Sequence, residues 1–203
     1  MTDRLLDRFS FAERIVHWVV GITFVVLLAT GLALSYPSLY WLTTIVGGGP
    51  AARALHPLVG VVFGVGMVAM VGLWIRDMFL DAEDWAWLGA VRYYVARRRD
   101  RVPLAGKYNA GQKIFFWLQG GLAVVFVATG VPLWLPEIFA SSLLAVCRLV
   151  HYAATLGGGL LLVAHVYLGT VANPGTARGM VDGQVTDRWA RLHHPRWHEE
   201  QIR

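Results

Sequence analysis

The 203-residue chain is 56% hydrophobic and only 15% charged, with a mean hydropathy of +0.51, against about 25% charged residues in an ordinary soluble domain. Its one cysteine, Cys147, excludes an internal disulfide and an iron–sulfur cluster, which takes about four thiolates, and the absence of CxxCH excludes covalent c-type heme. The net charge of +5 comes from basic residues that border apolar blocks and form no continuous basic face, so a nucleic-acid partner is not expected and lipid is the expected solvent.

A bilayer core takes about 20 mostly apolar residues as helix, and four segments qualify. The first covers 15–36. It is too long for a signal peptide, Asp3, Asp7 and Glu13 stand upstream, and no small-residue cleavage site follows. Pro37 punctuates its end, and Gly47, Gly48, Gly49 and Pro50 make a turn before the second span, 54–75. In the loop 76–113, Asp84 is expected to cap a short amphipathic helix through Trp85, Trp87, Leu88, Val91, Tyr94 and Val95, lying at headgroup level. The third span covers 114–135, with Pro132 and Pro136 near its end. The fourth covers 149–172, with a tail at 173–203. Cys147 reads as a small apolar residue of a helix. The segments RIVHW…ATGLAL and KIFFW…ATGVPL echo each other in spans one and three, pairing His17 with Phe116.

Lysine and arginine set the orientation. The first tail carries Arg4, Arg8 and Arg14. The middle loop carries Arg76, Arg92, Arg97, Arg98, Arg99, Arg101, Lys107 and Lys113, and the last tail carries Arg178, Arg188, Arg191, Arg196 and Arg203. The two opposite loops hold Arg53 and Arg148. This 16-to-2 split places both termini and the middle loop in the cytoplasm of a bacterial inner membrane.

Four histidines lie in or at the ends of the spans: His17, His56, His151 and His165. Polar groups at that depth are expensive and usually functional. His151 and His165 are 14 residues apart, about 21 Å along a helix and within about 40° of the same direction. One face of span four thus presents imidazoles at two depths. His56 matches His151 on the outer side, and His17 matches His165 on the inner side. Paired imidazoles from different helices suit the two axial positions of a heme iron, and six-coordinate iron suits electron transfer. Zinc or copper fits poorly, because no cysteine or carboxylate joins either pair. The expected fold is therefore an all-α, integral membrane four-helix bundle, a di-heme cytochrome b formed as one domain by residues 1–203.

Gly60, Gly64 and Gly66 in span two, and Gly157, Gly158 and Gly159 after His151, suit either a porphyrin or close helix packing. His193, His194 and His198 of the tail are expected at the surface or at a partner contact. The polar segment GKYNAGQK precedes span three at the cytoplasmic interface. It reads either as a helix start, with Asn109 as cap and Lys113 snorkelling, or as hydrogen-bond donors for a quinone head.

RFSFAERIVHW, ALHPLVG, GKYNAGQK, HYAATLGGGLLLVAHVYLGT and DRWARLHHPRW together resemble the gamma subunit of membrane-bound respiratory formate dehydrogenase. The resemblance covers nearly the whole chain. It implies two heme b groups, the outer on His56 and His151 and the inner on His17 and His165. It also implies reduction of a quinone (menaquinone or ubiquinone) near the inner heme, contacted by Asn109, Gly111 and Gln112 with His165 close by. The implied partners are an iron–sulfur beta subunit with its own membrane helix and a molybdopterin or tungstopterin catalytic alpha subunit, with room for a higher oligomer of that heterotrimer. Formate oxidation would lie in the alpha subunit, so no catalytic residue in the strict sense is expected here. The competing expectations are the cytochrome b subunit of another dehydrogenase, of hydrogenase or thiosulfate reductase type, and a heme-free membrane anchor.

Overall fold

The helix that carries each apolar span begins several residues earlier than the span, because a polar first turn belongs to the helix but not to the hydropathy signal. The computed structural model describes residues 4–202, so Asp3 and Arg203 lie outside the described residues. A short strand, β1 (Leu5–Asp7), precedes helix α1 (Phe11–Ser35). A reciprocal cap starts α1: Ser10 N donates to Glu13 Oε2 at 2.7 Å and Glu13 N to Ser10 Oγ at 3.3 Å. A 3₁₀ segment (Pro37–Val46) follows, closed by left-handed Gly47 and Gly48 at φ 95° and 97°. Helix α2 (Gly49–Trp74) then starts with Pro50 in its first turn, where a missing N–H costs nothing.

The middle loop folds as two short helices, α3 (Ala82–Gly89) and α4 (Val91–Val95). The cap of α3 is Asp81, not Asp84 as expected. Asp81 accepts from Asp84 N at 2.9 Å, and Asp84 accepts from Asp81 N at 3.0 Å, so Asp84 is the third-residue partner of the box. The amide donated by Asp84 is the main reason the Asp81 carboxyl titrates below the usual range. The expected tryptophan belt also divides. Trp85 is exposed, whereas Trp87 is buried beside Tyr94 at a centroid distance of 4.9 Å.

Helix α5 (Ala110–Trp134) and helix α6 (Ser141–Tyr167, continued by a π turn over Leu168–Ala172) follow. Pro132 lies in the last turn of α5, near its end as expected, and Cys147 is a buried helical residue of α6. Four helices are long and apolar enough to cross a membrane, and only 11–17% of each central window is buried within the chain. The remaining apolar surface needs lipid, and the chain is a multi-pass membrane protein.

The chain divides into two units. One comprises 15–71 and 119–165; the other comprises 1–14, 72–118 and 166–203. The first is the apolar helical core. Val20, Phe24, Phe63, Met67 and Ala123 form its centre, with Leu27, Leu28 and Phe126 packed against them. Two glycines singled out by spacing serve close packing here. A Cβ on Gly66 would stand 2.9 Å from Val20 Cγ2, and one on Gly158 would stand 2.9 Å from Phe24 Cζ, so the helices approach where side chains are missing.

The second unit contains both tails and the middle loop. β1 pairs antiparallel with β2 (Gln184–Thr186), Leu6 opposite Val185. Three short helices, α7 (Arg178–Val181), α8 (Asp187–His193) and α9 (Pro195–Ile202), complete it. Leu6, Val185, Trp189, Ala190 and Trp197 form its core. Arg8 is buried with its guanidinium 4.8 Å from the Trp189 ring centre and 5.0 Å from that of Trp197. It donates to Lys107 O at 2.6 Å and to His194 Nε2 at 3.2 Å, and His194 Nδ1 donates to Gly106 O at 2.7 Å. Burial lowers the Arg8 pKa to about 10.

The expectation of surface histidines in the tail is corrected for two of the three. His194 and His198 are buried, and His198 Nε2 bonds Asp187 Oδ1 at 2.6 Å. Burial, then the Arg8 charge, pushes His194 well below its ordinary 6.5. Native His194 therefore stays neutral while the unfolded chain takes up a proton below about pH 6.5. Stability is expected to fall as pH drops through that window, by at most about 1.4 kcal/mol per pH unit. Thermal unfolding at a series of pH values reads this slope, and His194→Gln should flatten it; an unchanged slope would show that His194 is not its source.

Candidate functional site

The four membrane histidines all belong to the helical core unit. Helix α6 carries two of them, and each faces a mate on another helix. His56 of α2 and His151 have ring centroids 6.4 Å apart at 63°; His17 of α1 and His165 have theirs 6.0 Å apart at 44°. The depth matching read from the spacing is thus present in both pairs. His17, His56 and His151 are half-buried. His165 is exposed in the isolated chain, its ring nevertheless set against His17.

These separations allow a test of fit for a metal held between trans imidazoles. A metal–nitrogen bond of about 2.0 Å, with about 1.1 Å from nitrogen to ring centre, puts the two centroids about 6.2 Å apart. Both pairs fall at that value. Among the described residues no group of three or more His, Cys, Asp or Glu side chains converges to hold a metal ion. Two donors alone suit a group that brings its own equatorial ligands, as a porphyrin does.

The backbone is shaped to the outer rings by glycines that the spacing argument did not select. A Cβ on Gly31 would stand 3.2 Å from His56 Cε1, and one on Gly130 would stand 3.5 Å from His151 Cε1. The preceding residues touch the same rings. Thr30 Oγ1 lies 2.7 Å from His56 Nδ1, and Thr129 Oγ1 lies 2.8 Å from His151 Nδ1. The repeated ATG of the two echoing segments was the signal for them, and on the sequence alone it carried no role.

Asn109, Gly111 and Gln112 lie together at the start of α5, in the unit that holds the tails; His165 belongs to the other unit. Asn109 caps α5: Gln112 N donates to its Oδ1 and Asn109 N donates to Gln112 Oε1, both at 3.0 Å. The box uses both carboxamide oxygens and leaves both NH₂ groups as donors. A Cβ on Gly111 would stand 3.6 Å from the Trp87 ring. A cavity of about 250 Å³ is lined by Trp87, Tyr94, Leu104, Arg191 and His193 among others. Lys113 does not snorkel as expected. It is buried, 2.5 Å from Asp84 Oδ2 and 3.1 Å from Phe79 O.

The model of the prokaryotic cytochrome b561 family matches residues 8–183. The nitrate-inducible formate dehydrogenase cytochrome b556(Fdn) subunit of Escherichia coli K12 is 32% identical over 205 residues, covering 98% of this chain and 92% of the relative. The formate dehydrogenase cytochrome b556 subunit of Haemophilus influenzae is 32% identical over 98% of this chain and 85% of its own. The cytochrome b556(fdo) subunit of E. coli K12 is 33% identical over 95% and 92%. With its four membrane helices and facing histidines, the chain belongs to the prokaryotic cytochrome b561 family, as a relative of the cytochrome b556 subunits of formate dehydrogenases.

Proposed function

We propose that this chain is the di-heme membrane subunit of a formate dehydrogenase-type complex, carrying electrons from an outer-side iron–sulfur subunit through two b hemes to a quinone reduced near the cytoplasmic side. The observation that carries this reading is the pair of imidazole couples at 6.4 and 6.0 Å, whose α6 members stand 14 residues apart. His56 and His151 hold the outer heme, and His17 and His165 the inner. Held by two protein imidazoles at each level, each heme would supply one-electron transfer rather than substrate chemistry. The two pairs stagger the carriers by about 21 Å along α6, so two sites cover most of the bilayer's depth.

Asn109 and Gln112 serve the quinone through their carboxamide NH₂ groups, the donors a carbonyl oxygen requires, with Gly111 keeping the backbone accessible. His165 would hold the inner heme together with His17. The charge asymmetry supports a cytoplasmic side for both termini and for this α5 cap, the source of the quinone's protons. The basic tails and loop are then on the far side from the iron–sulfur subunit and its molybdopterin or tungstopterin partner. Each electron moved inward works against a potential negative inside, at about 2.3 kcal/mol per 100 mV for a full crossing, which the redox drop to the quinone must exceed.

A reductive titration of the purified chain tests this. Two b-type components should titrate, and a quinone-site inhibitor should shift one of them and leave the other. A chain without b-type absorption is a membrane anchor and ends the proposal.

A further inference from the structure

The two outer histidines are held alike from two helices. Thr30 and Thr129 are buried, 2% and 8% exposed, and each hydroxyl makes two close polar contacts. Thr30 Oγ1 lies 2.8 Å from Val26 O as well as 2.7 Å from His56 Nδ1. Thr129 Oγ1 lies 2.7 Å from Val125 O as well as 2.8 Å from His151 Nδ1.

Two contacts this short need two protons. A carbonyl oxygen has none, so the single hydroxyl proton lies between Oγ1 and the helix carbonyl. The ring nitrogen supplies the other. Nδ1 of both His56 and His151 is therefore protonated and donates to threonine, and Nε2 carries the lone pair. Carbonyl back-bonding by itself does not account for burial. Thr23 and Thr155 bond the carbonyl four residues back in the same way, yet neither is buried. The inner level differs: His17 Nδ1 is buried with no hydrogen-bond partner among the described residues.

We infer that Thr30 and Thr129 are positioning residues of the outer site: each locks its histidine in the Nε2-coordinating tautomer and, by accepting the Nδ1 proton, makes that imidazole a stronger donor to a ferric iron. This rests on the heme reading above. A ligand whose other N–H is hydrogen-bonded is more basic, and a more basic ligand favours the oxidised metal. The outer site is thereby held at a lower potential than it would have without the threonines, while His17 contributes no such bias to the inner one.

Redox titration and low-temperature EPR of the full, heme-loaded chain test the assignment in Thr30→Val and Thr129→Val, which keep the shape and remove the hydroxyl. Thr30→Ala and Thr129→Ala serve where the valine variants do not assemble. Each variant should raise the same one of two midpoints, changing the oxidised-to-reduced ratio at fixed potential by up to about tenfold, or about 59 mV for one electron. Thr30→Ser and Thr129→Ser should restore it. Intact low-spin b bands with neither midpoint moved overturn the threonine assignment alone. Absence of b-type absorption, or both hemes surviving His56→Ala, overturns the ligand reading and the assignment with it.

Discussion

Alanine in place of any one of the four membrane histidines is expected to remove one of the two proposed hemes, and the four variants should fall into two classes. On the proposed ligation, His56→Ala and His151→Ala should lose the outer heme, and His17→Ala and His165→Ala the inner. The pairing predicts which combinations are worse. A double variant within one pair, such as His56→Ala with His151→Ala, retains as much heme as either single variant, because the second ligand holds nothing once the first is gone. A double variant across pairs, His56→Ala with His17→Ala, loses both. Heme content by pyridine hemochrome and the reduced-minus-oxidised spectrum read the outcome. The physical basis is that each ring has a facing mate, at 6.4 or 6.0 Å, and that among the described residues no third His, Cys, Asp or Glu joins either pair. Inner-class variants should also abolish quinone reduction, whereas a chain that keeps both hemes after His165→Ala would sever α6 from the redox role.

Lys113→Met lowers the stability of the unit that holds the tails by about 3–5 kcal/mol, the cost of leaving a buried charge without its partner. An exposed pair would give only about 0–1 kcal/mol, so burial decides between the two. Both side chains are buried, at 10% and 8% exposure and 2.5 Å apart. Asp84 is also tied to Asp81 N at 3.0 Å, and Lys113 to Phe79 O at 3.1 Å. The pair therefore joins the first turn of α5 to the start of α3. The compensating variant makes the test specific: adding Asp84→Asn to Lys113→Met removes the orphaned carboxylate, keeps an oxygen for the cap, and should recover most of the loss. Thermal unfolding in detergent measures both steps. A loss below about 1 kcal/mol for Lys113→Met would mean the pair is solvated.

The number, place and order of the membrane helices, and the depth of each histidine along them, are properties of the sequence itself. Hydropathy marks where a chain must be helical to hide its backbone in lipid. A 14-residue interval on one helix sets both the rise and the direction of His151 relative to His165. These are one-dimensional quantities, local to a single helix. What depends on lateral contact between helices was decided only by the tertiary structure. The ATG echo of spans one and three was visible in the sequence, but Thr30 and His56 are 26 residues apart and Thr129 and His151 are 22 apart. No periodicity joins such positions, and the partnership exists because α1 packs on α2 and α5 on α6. Lys113 followed the same logic: beside a membrane span a lysine reads as snorkelling, and only the packing of α3 against α5 supplies Asp84. His194 and His198 looked solvent-bound within a polar tail. They are buried because β1, from the opposite end of the chain, pairs with β2 and brings Arg8 and Leu6 over the tail, a long-range closure that composition does not encode.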